Sequence, residues 1–248
     1  MRTEHGTNLN NRRAARRLLA TLALALCSGT AFAQVAMQGT RVVLPAAKPE
    51  VAVHIRNNGD EPVLVQAWVA DGDARQRPED SKAPFVLAPP LVRLDPGKDN
   101  HLRIRKLAEA APTDAVEHLY SLDILTVPAR SKVRDESQLE LVVRSRYKLL
   151  YRPEGLGEPV DPPAQLSMQI REGEPRVLAV RNGSAFHVNL GDISVVHAGG
   201  ETALDNPAIP PRGERLLRLP EEVKGSVHAV KFRWIDDDGS LHPAQRDL

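Results

Sequence analysis

The chain has 248 residues, room for one large or two ordinary β domains, and a formal net charge of +1 at pH 7. Its 42% hydrophobic and 26% charged residues give the balance of a soluble chain, and the near-zero charge argues against nucleic acid as the main partner. With 20 prolines and 16 glycines punctuating many short Val/Ile/Leu runs, the composition favours an all-β chain rich in turns.

The N-terminus predicts export. Arg12, Arg13, Arg16 and Arg17 lead into an apolar run over residues 18–26, and small residues follow up to Ala31-Phe32-Ala33. That is the layout of a secretory signal peptide over residues 1–33, with cleavage after Ala33. The run is too short for a stable membrane anchor. Cys27 follows the bulky Leu26, the wrong neighbour for a lipid-modified cysteine, and twin-arginine export is the weaker reading of the arginine pairs. Cleavage after Ala33 leaves no cysteine, so the mature chain must be held by its own cores.

Short strands are expected next. Residues 40–45 (TRVVLP) form an apolar segment opened by an arginine, and residues 50–56 (EVAVHIR) alternate with Val51, Val53 and Ile55 inward. Asn57-Asn58-Gly59-Asp60 reads as a turn. Residues 63–69 (VLVQAWV) read as a core strand carrying Trp68, followed by a polar loop over residues 71–82. Pro89-Pro90 breaks residues 85–94 (FVLAPPLVRL), so only the two ends can join a ladder. Strands are expected again at residues 101–105 (HLRIR) and 118–127 (HLYSLDILTV), giving sandwich spacing.

The longest strand expected covers residues 139–153 (LELVVRSRYKLLYRP). Leu139, Leu141 and Val143 share one face, because successive side chains on a strand alternate. Lys148 has the opposite parity, and a bulge or a local twist could realign it with their face. Prolines 153, 159, 162 and 163 with two glycines mark a linker at residues 153–163, between domains at 34–152 and 164–248. Short strands are expected beyond it at residues 165–170, 176–181, 187–193, 214–219 and 227–234, with turns at Asn182-Gly183, Gly199-Gly200 and Asp237-Asp238-Gly239. Trp68 and Trp234 read as core residues of their two sandwiches.

No catalytic constellation emerges from the sequence. The histidines show no HxxxH or HExxH spacing, Ser184 lacks a G-x-S-x-G context, and no glycine-rich phosphate loop is found. An exported hydrolase would need a clustered acid/base pair that the sequence does not offer.

Taken together, TRVVLP, LVQAWV, APPLVRLDPG with HLRIR, EHLYSLDILTVP and RSRYKLLYRPEGL resemble the PapD-like periplasmic chaperones of the chaperone–usher pilus pathway. VRNGSAFHVNLGDI and FRWIDDDG extend the likeness more loosely into the second half. The resemblance implies two immunoglobulin-like β-sandwich domains in an L-shaped arrangement, with a cleft between them. It also implies donation of the long edge strand to an incomplete pilus or fimbrial subunit and delivery to an outer-membrane usher, with no cofactor, nucleotide, nucleic acid or membrane anchor. By position, Arg41 and Lys148 correspond to the anchor for the subunit's C-terminal carboxylate, and Leu139, Leu141 and Val143 to the donor residues. Arg152, Glu117 and Asp236 or its neighbour Asp237 correspond to the charged residues that set the interdomain angle. The short connection over residues 128–138 implies the variant with a short loop before the donor strand. An uncapped donor strand can also pair with itself, which leaves self-association of the client-free chain open. The alternative from a different class is a secreted two-domain adhesion or structural module, which would pair or cover that edge.

Overall fold

The structure, a computed structural model, describes residues 35–129 and 141–248. The expected signal segment and cleavage site, Leu139 and most of the connection before it lie outside the described residues. The alternating apolar runs form strands β1 (Val35–Met37), β2 (Arg41–Pro45), β3 (Glu50–Asn57), β4 (Val63–Ala70), β5 (Phe85–Ala88), β6 (Leu91–Leu94), β7 (Asp99–Lys106), β8 (His118–Pro128) and β9 (Val143–Arg152). They build two sheets, β1-β3-β7-β5 and β2-β9-β8-β4-β6, packed face to face. The Pro89-Pro90 break sends β5 and β6 into different sheets, as a segment unable to donate across a ladder should.

Parity decides what lies between the sheets. Val53 and Ile55 of β3, Val63, Val65, Ala67 and Val69 of β4, Leu122 and Ile124 of β8, and Leu149 and Tyr151 of β9 share one buried cluster. Trp68, expected in that core, has the opposite parity within β4. It lies on the outer face, covered by the Arg144 guanidinium 4.7 Å from its ring centroid. Since successive side chains oppose, VLVQAWV cannot put both its valines and its tryptophan inside.

The second sandwich contains β10 (Leu166–Arg171), β11 (Val177–Asn182), β12 (Val188–His197), β13 (Gly200–Ala203), β14 (Ala208–Ile209), β15 (Glu214–Arg218), β16 (Val227–Ile235) and β17 (Leu241–Asp247). One sheet is β10-β11-β15. The other is β13-β12-β16-β17, with β14 also on β12. A separate core around Leu178, Val180, Val195, Ile209, Val230 and Phe232 fills it. Asn182, expected in a turn, ends β11 fully buried, its amide donating to the carbonyls of Phe186 and Pro210 at 2.7 and 3.1 Å. Those bonds satisfy the loop carbonyls that cross it. Trp234 lies at the core's margin and stacks on His242 at 4.6 Å. The two sandwiches belong to one compact unit, Val35–Leu248.

Candidate functional site

The site is built on β9, whose two edges are unequal. On one side it pairs antiparallel with β8 without a break, from Val143 opposite Thr126 to Tyr151 opposite His118. On the other it pairs parallel with β2 only from Lys148 opposite Arg41 to Arg152 opposite Pro45. The edge from Val143 to Tyr147 therefore has no neighbour among the described residues. It offers about 16 Å of ladder at roughly 3.3 Å per residue. Gly39, at φ +90°, bends the chain between β1, in the other sheet, and the start of β2. An L side chain there would be strained, so this position suits glycine.

The ladder begins at Val143, four residues later than the sequence suggested. Leu141 and Val142 precede it with no ladder partner among the described residues, and without pairing they do not take strand form. Leu141 is 64% and Val143 51% exposed. Exposed apolar groups beside an open ladder edge form a surface that another strand would cover.

The register of β9 is regular, with no bulge. Lys148 stays on the face opposite Val143, together with Arg144, Arg146, Leu150 and Arg152, and the later part of that face, from Lys148 to Arg152, looks toward the second sandwich. No realignment occurs: Val143, expected as a donor residue, and Lys148, expected as an anchor, occupy opposite faces of one strand. Arg41 and Lys148 stand side by side where the open edge ends. The Lys148 ammonium donates to Asn189 Oδ1, and Arg41 Nη1 donates to the Ile235 carbonyl at 3.3 Å. Among the described residues neither has a carboxylate within ion-pair distance. Burial lowers the pKa of Lys148, and the neighbouring Arg41 lowers it further. Burial also lowers that of Arg41, against the more distant Asp237, Asp236 and Glu117. Two partly desolvated cations without an anion make a docking point for one.

Arg152 holds the next layer. Its Nε donates to Glu117 Oε2 at 2.8 Å, and its two terminal nitrogens grip Asp237 at 2.7 Å each. Glu117 Oε1 accepts from the His187 backbone N–H at 2.9 Å and lies 3.1 Å from its ring Nδ1. Asp236, expected on the arginine, turns instead to His242 at 2.6 Å and accepts from the Ser240 N–H. The 236–240 turn points adjacent carboxylates apart, so only Asp237 reaches β9. Burial alone would raise the Glu117 pKa, but the hydrogen bonds from His187 and Arg152 outweigh it and leave a net lowering. Burial acts on Arg152 in the opposite sense, and its two carboxylates leave its pKa raised. A cavity of about 210 Å³ opens beside this network, with Arg41 and Asp237 on its polar side and Leu150, Phe186 and Trp234 on its apolar side.

Sequence reasoning missed Asn189 and His187, which meet β9 and Glu117 across the domain junction. The spacing to Lys148 and Glu117, 41 and 70 residues, carries no local signal.

Residues 34–157 match the family model described as the pili and flagellar-assembly chaperone, PapD N-terminal domain. Residues 161–246 match that of the pili assembly chaperone PapD, C-terminal domain. The chain is 36% identical over 229 residues to the chaperone protein FimB/FhaD of Bordetella pertussis, covering 90% of this chain and 91% of that one. Among solved structures, the YadV chaperone matches with a TM-score of 0.74 at 26% identity, over 87% of this chain and 100% of that one. A chain of the Salmonella enterica complex between the SafA pilin and the SafB chaperone matches with a TM-score of 0.73 at 29% identity, over 89% and 99%.

Proposed function

We propose, from the premise that the chain belongs to the PapD family of pilus-assembly chaperones, that it caps pilus or fimbrial subunits by lending them β9. The carrying observation is the open edge from Val143 to Tyr147, which ends at two cations without an anion. A subunit missing one strand exposes an apolar groove between unpaired backbone groups. Added to that groove, β9 supplies N–H and C=O partners, while Leu139, Leu141 and Val143 fill alternate pockets. Each such side chain, once buried, contributes about 1.5–3 kcal/mol, and lost freedom on association offsets part of the sum.

Arg41 and Lys148 take the subunit's terminal carboxylate and act as a ruler. Shifting a strand by one residue turns every side chain to the wrong face, so an anchored end sets which residues meet the donor positions. The chaperone then passes the capped subunit to an outer-membrane usher. Its place of action is the periplasm, supported by the signal-like layout of residues 1–33. The adhesion-module alternative is not favoured by the family matches.

The test is a pull-down from the periplasm of the protein's own host, with wild type beside Arg41→Ala and Lys148→Ala and mass spectrometry of what co-purifies. A small β-rich exported subunit held by wild type and lost from both variants is the expected result. Thermal melting should show both variants folded, since removing Lys148 also removes its repulsion with Arg41. Wild type and variants that emerge alone, or with the same partners, would overturn the reading.

A further inference from the structure

Behind the open half of β9 lies a second ionic cluster, separate from the cleft. Asp123 of β8 is fully buried, although it points to the outer face of its sheet. Two arginines of β9 close over it. Arg144 donates to its Oδ2 at 2.9 Å, and Arg146 grips both oxygens at 2.9 and 3.0 Å. Each arginine spends a further N–H on the 71–82 loop, Arg144 on the Gln76 carbonyl at 2.9 Å and Arg146 on the Asp73 carbonyl at 2.6 Å.

The loop is built to receive them. Gln76 Oε1 accepts from the Asp71 and Gly72 N–H groups at 3.1 and 2.8 Å, and its Nε2 donates to Asp71 Oδ1 at 2.7 Å. A Cβ at Gly72 would lie 2.9 Å from the Gln76 carboxamide, so a larger residue there would have to push that side chain aside. Ser81 Oγ ties the other end to the Val69 carbonyl at 2.8 Å. Trp68 lies beneath the Arg144 guanidinium.

Arg144 and Arg146 fall within the stretch that β2 does not flank. A strand half paired on one side only gains order from whatever else holds it. Besides the β8 ladder and Tyr147 at the core's margin, the side-chain hold comes through the face opposite Val143, so it leaves Val143 and the open edge clear. We propose that Asp123, Arg144, Arg146 and the loop they fasten are positioning residues that keep the open half of β9 extended and in register before a client arrives. This rests on reading β9 as the donor strand. A donor ordered in advance loses less freedom on binding, so the device acts on the rate of capture.

Hydrogen exchange of the full, client-free chain tests it, with Asp123→Asn and the milder Arg146→Gln, which leaves Arg144 on the carboxylate. Arg233→Gln, which breaks an exposed ion pair with Asp192 in the second sandwich, is the control. The β8-bonded amides between Val143 and Tyr147 should exchange about tenfold faster in both clamp variants, with β4 and the β2–β9 ladder from Lys148 to Arg152 unchanged. Association with the subunit recovered in the pull-down should slow about tenfold, and dissociation should barely change. Unchanged exchange at these amides, or a rise spread equally through β4 and β8, would overturn the proposal. A wild-type chain that captures no subunit would sink the donor reading, while the exchange pattern would still decide whether the clamp orders β9.

Discussion

Glu117 shows how one buried side chain sets a pH limit on the junction. Its pKa is lowered from the ordinary 4.5, so its contribution to stability is complete above that value and disappears as pH falls through the lower, folded-state pKa. Glu117→Gln should cost about 3 kcal/mol at neutral pH, since breaking a buried pair leaves Arg152 short of a partner. Melting temperatures of wild type and variant, measured from pH 7 down to pH 3, should begin to converge as the pH falls below about 4.5. A constant gap would show that the carboxylate's charge is not what matters. The same residues mark the limit of sequence reading. Arg152 and Glu117 were legible through their matched contexts, whereas the choice between Asp236 and Asp237 depends on the dihedral angles of a turn. Two adjacent acidic letters cannot encode which of them faces β9.

β9 was legible as an element for a different reason. Its length and its alternation of Leu149 and Tyr151 with Leu150 and Arg152 predict a strand with two occupied faces, and both faces are used. Its beginning was not legible. Residues 141 and 142 have strand composition, but strand form needs a partner, and the described residues supply none. Trp68 is the converse case: parity alone would have placed it outside, had alternation been weighed above its size. The exposed residues just before β9 carry the element-scale prediction. Leu141→Glu should leave the melting temperature within about 2 °C, because a 64% exposed side chain contributes little to the free fold. Recovery of the subunit should fall at least tenfold, since the charge would enter an apolar groove. Undiminished recovery would argue against strand donation.

At the scale of the whole molecule, the described residues form two apolar cores that do not merge, and polar pairs bridge the junction between them. Lys148 with Asn189, Glu117 with His187 and Arg152 with Asp237 all cross it. Buried ion pairs contribute little net stability relative to apolar packing, but they tolerate few geometries. Gly239 adds a steric constraint at the same junction. It sits at φ +89°, and a Cβ there would run into Thr40 Oγ1, immediately before Arg41, the proposed anchor. Gly239→Ala should therefore cost about 1–2 kcal/mol from backbone strain alone, a fall of roughly 2–8 °C in melting temperature for a chain of this size. Capture should weaken as well, because the displaced turn carries Asp237. A variant with unchanged melting and capture would show that the turn moves freely.

The way β2 lies on β9 has one further consequence. β2 runs parallel to β9 and fills only the later half of that edge. A client strand whose carboxyl end stops at Arg41 has the same sense as β2, so the two would follow one another along a single edge, both parallel to β9. Parallel ladders are slightly weaker per residue than antiparallel ones. A strand that filled the client's groove in the antiparallel sense would therefore hold it more firmly than the chaperone does, and direction alone would favour release over retention.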